Sequence, residues 1–140
     1  YRWHDTKKIP ALFPFGHGLS YTTFTYGKPV ASAKAMAADG MLTVTVAVKN
    51  TGSIAGKEIV QLYVGDDKCS VLRPVKELKH FAKVALAPGE EKSVTFTLTP
   101  DDLKFYDEAS AAWKYEPGKF KAYVCASSAD VRGVVSFEMQ

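Results

Sequence analysis

From residue 42 onward the apolar residues recur at every second position. In LTVTVAVK (42–49), Leu42, Val44, Val46 and Val48 alternate with Thr43, Thr45, Ala47 and Lys49. A helix, with about 3.6 residues per turn, scatters such a set around its axis, whereas a strand places it on one face. SVTFTL (93–98) repeats the pattern with Val94, Phe96 and Leu98 inward. KFKAYV (119–124) does so with Phe120, Ala122 and Val124, and VRGVVSFEM (131–139) with Val131, Val135, Phe137 and Met139. EIVQLYV (58–64) is apolar on both sides, with Val60, Leu62 and Val64 opposing Ile59 and Tyr63, which predicts a central strand covered on each face. FAKVAL (81–86) makes a sixth strand, and a segment near Phe24 to Tyr26 or Ala31 to Ala35 supplies a seventh.

Strong turn chemistry separates these runs. Asn50-Thr51-Gly52, Ala87-Pro88-Gly89-Glu90, Glu116-Pro117-Gly118 and Ala38-Asp39-Gly40 combine proline, which presets φ, with residues that tolerate positive φ. Only TPDDLKFYDE (99–108) reads as helical: Thr99 caps, Pro100 suits the first position, and Asp101 and Asp102 sit well at the positive end of the dipole. Leu103 with Phe105 or Tyr106 then anchors this single turn. About seven short strands, regular turns and one helical turn predict an all-β fold, an antiparallel sandwich of the immunoglobulin-like or fibronectin type III-like kind, entered through an extended N-terminal segment. The Cys…Trp…Cys pattern of antibody domains is missing, because Trp113 falls well after the third strand and Cys125 lies on the face opposite Phe120.

The chain has 140 residues, enough for one core, and carries a net charge of +3 from lysines spread along its length. Nucleic-acid binding clusters its cations and favours Arg, so no such partner is expected. No apolar run is long enough to span a membrane, and YRWHDTKK lacks the apolar core of a signal peptide, so the chain reads as a piece whose targeting signal was carried elsewhere. Cys69 and Cys125 have neither metal-type spacing nor a disulfide framework.

Candidate chemistry is sparse. His4, His17 and His80 lie apart from other ligand types, so no metal site and no cofactor are expected. His17 sits between Gly16 and Gly18, which fits a tight bend better than a ligand loop. The glycines do not continue into a dinucleotide fingerprint, and no Gly-x-Ser-x-Gly elbow is present. A glycosidase needs two carboxylates, but the pairs Asp66-Asp67, Glu90-Glu91 and Asp101-Asp102 fall in turns or at the helix start, where local backbone chemistry accounts for them. No catalytic residue is therefore assigned.

Three regions remain as binding candidates. Residues 12–24, LFPFGHGLSYTTF, contain no Asp, Glu, Lys or Arg, and read as an uncharged strap with Phe13, Phe15, Leu19 and Tyr21 supplying contact area. The stiff arm around Arg73-Pro74, with Leu78 following, suits a docking contact. Trp3, Trp113 and Tyr115 are candidate platforms for stacking on a sugar ring, or equally for burial. The strap is expected to be disordered, folded back on the sandwich, or packed on another copy.

In collinear order, PALFPFGHGLSYTTF, VKNTGSIAGKEIVQLYVGD and SVLRPVKELKHFAKVALAPGEEKSVTFTLTPDDLKFYDE closely resemble the C-terminal region of glycoside hydrolase family 3, the β-glucosidases and β-xylosidases. The resemblance covers essentially the whole chain. It implies a fibronectin type III-like domain over residues 21–140, preceded in 1–20 by the end of an α/β sandwich domain and a linker strap. It also implies that the nucleophilic Asp of a barrel domain and the acid/base Glu of the sandwich domain lie upstream, so this stretch is inactive alone. The expected partners are those upstream catalytic domains, and possibly an oligosaccharide. The expected location of the parent enzyme is periplasmic or secreted. His80 stands where the family commonly has Gly after Leu-Lys, and His17 occupies a variable position.

Overall fold

The computed structural model describes all residues from Tyr1 to Gln140. A short helix α1 (Arg2–Lys7) is followed by β1 (Phe24–Tyr26), β2 (Val30–Ala31), β3 (Ala35–Met36), β4 (Leu42–Asn50), β5 (Gly56–Asp66), β6 (Glu77–Leu86) and β7 (Glu91–Leu98). Helix α2 (Pro100–Leu103), the hairpin β8 (Phe105–Asp107) and β9 (Ala112–Lys114), and the long hairpin β10 (Gly118–Ser127) and β11 (Asp130–Met139) complete the chain. In one sheet β4 pairs with β7 along one edge and with β1 and then β2 along the other. The second sheet runs β3-β11-β10-β5-β6, antiparallel except for the two-residue parallel pairing of β3 with β11.

The two sheets close over one core, as the alternation predicts. Leu42, Val44, Val46 and Val48 of β4 meet Val94, Phe96 and Leu98 of β7 and, from the other sheet, Val60, Leu62, Phe120, Ala122 and Val124, in a cluster of 18 buried residues. The fold class is thus the all-β sandwich expected. Gly89, at φ 75, makes the turn between β6 and β7 that Ala87-Pro88-Gly89-Glu90 foretold.

Four local expectations need correction. The helix spans only Pro100–Leu103. Residues 105–107 instead form β8, because Phe105 and Asp107 are buried and Tyr106 exposed, a two-residue period that no helix satisfies. An unforeseen helix, α1, has no buried residue and owes its place to contacts with the sandwich. Val131 is exposed, because register shifts at Val124/Cys125 and Cys125/Ser127 delay the inward set of β11 to Val135 onward. On the outer face of β5, Tyr63 is buried as expected, but Ile59 is not, because it lines a groove left between residues 16–24 and the sheet; Gln61, on which the sequence places no expectation, is buried.

Candidate functional site

The cover over that outer face is the N-terminal segment itself. Tyr1 sets its ring 5.4 Å from Tyr63, edge to face, and 5.2 Å from Phe15. Its phenol oxygen accepts a hydrogen bond from the Leu78 N–H at 2.8 Å. Asp5 pairs with Lys76, whose ammonium also lies 5.6 Å over the Tyr63 ring. The strap is folded back on the sandwich, one of the three outcomes expected for it.

Beyond α1 the strap is fixed through its backbone. Ser128 N–H donates to Phe15 O at 2.8 Å, and Gln61 Nε2 donates to Gly16 O at 3.3 Å and to Ala126 O at 3.0 Å. Gly16 has φ 77, and a Cβ there would lie 2.4 Å from Gln61 Nε2, so both the bend and the close approach demand glycine. Gly18 has nothing within 4 Å of such a Cβ. At the far end, Thr22 Oγ1 donates to Asn50 Oδ1 at 2.6 Å. Asn50 Nδ2 donates in turn to Ile54 O at 2.8 Å and Leu86 O at 3.1 Å.

With its backbone so engaged, the strap turns its side chains outward. Leu12, Phe13, Leu19 and Tyr21 are 89%, 75%, 95% and 97% exposed, and Phe15 is half exposed with one side against Tyr1. The strap, residues 12–24, thus carries no charge and holds several large apolar side chains in water. A groove of about 530 Å³ opens beside it, between residues 16–24 and the sheet, lined by His17, Ser20, Lys57, Glu58, Lys83 and Arg132. Burial, above all, raises the Glu58 carboxyl above its usual range, and burial likewise pushes up the Tyr26 phenol beside it. Arg132, paired with Asp130 at 2.7 Å, lies 5.3 Å over the Tyr26 ring.

The arm behaves differently. Arg73 points into its own domain, donating to Leu103 O at 3.1 Å, facing Asp66 at 3.5 Å and Glu77 at 3.4 Å, and lying 5.3 Å over the Phe105 ring. Burial opposes ionisation of Glu77, but Lys79, Arg73 and Arg2 outweigh it and hold that carboxyl below its usual range. Leu78 is half-buried beneath Tyr1. What the arm presents to solvent is Leu72, 91% exposed, which the sequence reading passed over although Val71-Leu72 is an apolar pair outside any strand pattern.

The aromatic candidates also separate. Tyr115 is partly buried and packs against the core, so its ring is not a platform. Trp3 is exposed, with Lys7 Nζ 5.0 Å over its ring. Trp113 is 66% exposed on β9 and meets Tyr106, which the sequence reading had not proposed for stacking, edge to face at 5.8 Å. The carboxylate pairs serve the backbone and the surface. Asp102 caps α2 through the Thr99 N–H at 2.8 Å, Glu90 accepts from the Ala87 N–H at 2.7 Å, and Asp67 pairs with Lys121 at 2.8 Å. Cys125 is buried, which pushes its thiol up to about 12, and both cysteines are free.

A model of the fibronectin type III-like domain matches residues 58–128. The chain is 64% identical over 138 residues to the β-glucosidase BoGH3A of Bacteroides ovatus, covering 99% of this chain and 18% of that protein. It is 43% identical over 131 residues to the periplasmic β-glucosidase of Salmonella typhimurium, covering 94% of this chain and 17% of that protein. The crystal structure of the GH3 β-glucosidase from Bifidobacterium adolescentis superposes with a TM-score of 0.92 at 35% identity, over 99% of this chain and 20% of that one. The chain spans less than a fifth of the length of these two curated relatives.

Proposed function

This chain belongs to the fibronectin type III-like domain family, and on that premise we propose that it is the non-catalytic C-terminal accessory domain of a glycoside hydrolase family 3 β-glucosidase-like enzyme. Its task is to brace the catalytic domains upstream in the same polypeptide, the parent hydrolysing terminal non-reducing β-D-glycosides. Residues 21–140 are the domain proper, and residues 1–20 are the strap through which it meets the preceding α/β sandwich domain.

The observation that carries this reading is the pairing of a firmly held backbone with an outward apolar face at Leu12, Phe13, Leu19 and Tyr21. Each such side chain contributes about 2 kcal/mol when fully buried, so together they can hold two domains in register against the cost of ordering them. The contact is assigned to the strap, with Leu72 of the arm as an outlying point, while Arg73 and Leu78 stabilise the surface behind it. Likeness to a periplasmic enzyme supports a parent that works in the periplasm or outside the cell.

The test uses two polypeptides. In one that includes the upstream domains, the triple change Phe13→Ser, Leu19→Ser and Tyr21→Ser should lower the melting temperature or split one transition into two. In the 140-residue chain the same change should be nearly neutral, since these side chains already face water. An unchanged transition in the longer polypeptide overturns the reading, as would hydrolysis of an aryl β-glucoside by the 140-residue chain alone.

A further inference from the structure

We propose that the outer face of the β8–β9 hairpin, Tyr106 with Trp113, is a secondary site that stacks on one or two pyranose rings of a β-glucan chain. The choice of β-glucan rests on the reading above.

Alternation splits the hairpin into two faces. Phe105 turns inward, buried between the Arg73 guanidinium at 5.3 Å and the Lys114 ammonium at 5.6 Å. Tyr106 and Trp113, directly paired across the strands, turn outward. The turn between them is fixed by Asp107, which accepts from Ser110 Oγ at 2.5 Å and Ser110 N–H at 3.1 Å and pairs with Lys114 at 3.0 Å. The two rings are therefore held by strand pairing and a bonded turn, which is the preorganisation a weak site needs.

Ring geometry favours a flat, neutral ligand. The two planes meet at 70°, and with Trp113 66% and Tyr106 51% exposed much of both rings stays open to solvent. A β-glucopyranose carries its hydroxyls equatorially and its C–H groups axially, and so offers an apolar face to the indole. The phenol hydroxyl and the indole Nε1–H at the rim can bond to the ring hydroxyls. Trp3, almost as exposed as Trp113, has the Lys7 ammonium over one face and no second ring paired with it.

Size excludes the commoner partner. A Trp or Tyr side chain buries roughly 150–250 Å² in full, so this pair offers on the order of 250 Å². A stable protein interface takes about 800 Å² from each side. Two rings on a hairpin of three-residue strands fall well short of that and match a disaccharide.

A Trp3→Phe variant leaves Trp113 as the single indole of the 140-residue chain. Titrated with laminari- and cello-oligosaccharides of two to six units, it should show a saturable change in emission with Kd of about 1 mM. Tyr106→Ala in the same background should weaken binding at least threefold. In Trp113→Ala the sugar-induced amide shifts of Ser110 and Lys114 should vanish, and Trp113→Phe, which keeps the hairpin packed, should retain part of them. The proposal is overturned by the absence of any saturable response, by shifts that persist in Trp113→Ala, or by loss of acrylamide quenching at Trp113 once the upstream domains are present. The last result would mean that the parent covers this face. None of these readouts depends on the unfolding experiment that tests the strap.

Discussion

Replacing Asn50 by Ala should be among the most damaging single changes in this domain. The side chain is fully buried and makes four hydrogen bonds. It donates to Ile54 O and Leu86 O, and accepts from Thr22 Oγ1 and, at 3.1 Å, from the Gly52 N–H. At about 1 kcal/mol for each bond the loss is about 4 kcal/mol, and the Leu86 carbonyl, sealed in the core, has no water to turn to. In a domain of this size about 3 °C of melting temperature accompanies each kcal/mol, so the midpoint should fall by roughly 10 °C. Circular dichroism during thermal and urea unfolding of the 140-residue chain gives both numbers. Thr22→Val removes one of the four bonds and should cost about 1 kcal/mol, and the pair should fall short of additivity by about that amount. Asn50→Asp keeps the accepted bonds but turns an oxygen toward two carbonyls, so it should be at least as damaging as Ala. A loss below about 1 kcal/mol for Asn50→Ala would refute the claim that this amide holds the strap and the turn together.

Two further changes probe the same region. Gly16→Ala places a β-carbon against Gln61 and forces φ 77 on a residue that disfavours it, so it should cost roughly 2 kcal/mol and expose the strap to protease, while Gly18→Ala should be near neutral. Glu58 has its folded-state pKa raised by burial, so ionisation works against the fold as pH rises through that value; Glu58→Gln should raise the melting temperature at pH 7, and the gain should disappear below the usual glutamate range, where both side chains are neutral. A gain that is independent of pH would show that the charge is not the cause.

The strands that build the core were legible because their cause is local. Leu42 to Val48, Val94 to Leu98 and Phe120 to Val124 each state a face within a few residues, and that face is buried. The hairpin β8–β9 was not legible, since Thr99-Pro100-Asp101-Asp102 gives a true helix signal and nothing local says that it lasts one turn. Helix α1 escaped because it carries no apolar face of its own; Tyr1 and Asp5 hold it through partners 62 and 71 residues away, Tyr63 and Lys76. Asn50 stands in a turn motif and Gln61 inside an apolar strand, and neither announces its bonds locally, because their partners Thr22 and Gly16 lie 28 and 45 residues off. The strap's outward face, by contrast, was marked by its missing charges, which depend on no partner at all.

Those two amides bear on what kind of surface the strap is. Asn50 and Gln61 are the buried amide side chains of the domain, and each spends a hydrogen bond on the strap, one at Thr22 and one at Gly16. A buried amide costs more than an apolar residue unless every bond is made, and in return it admits one arrangement of its neighbours. A tail that merely covered Tyr63 could do so with apolar contacts and slide. Held at both ends, residues 16–22 cannot shift without stranding a buried polar group, so Leu19 and Tyr21 keep fixed positions while wholly exposed. On the proposed reading the docking surface is therefore ordered before any partner arrives, and docking on it requires little rearrangement of this domain. Loosening either amide should consequently weaken interdomain coupling in the longer polypeptide even though neither touches the exposed face, whereas a strap that orders only on docking would leave that coupling unchanged.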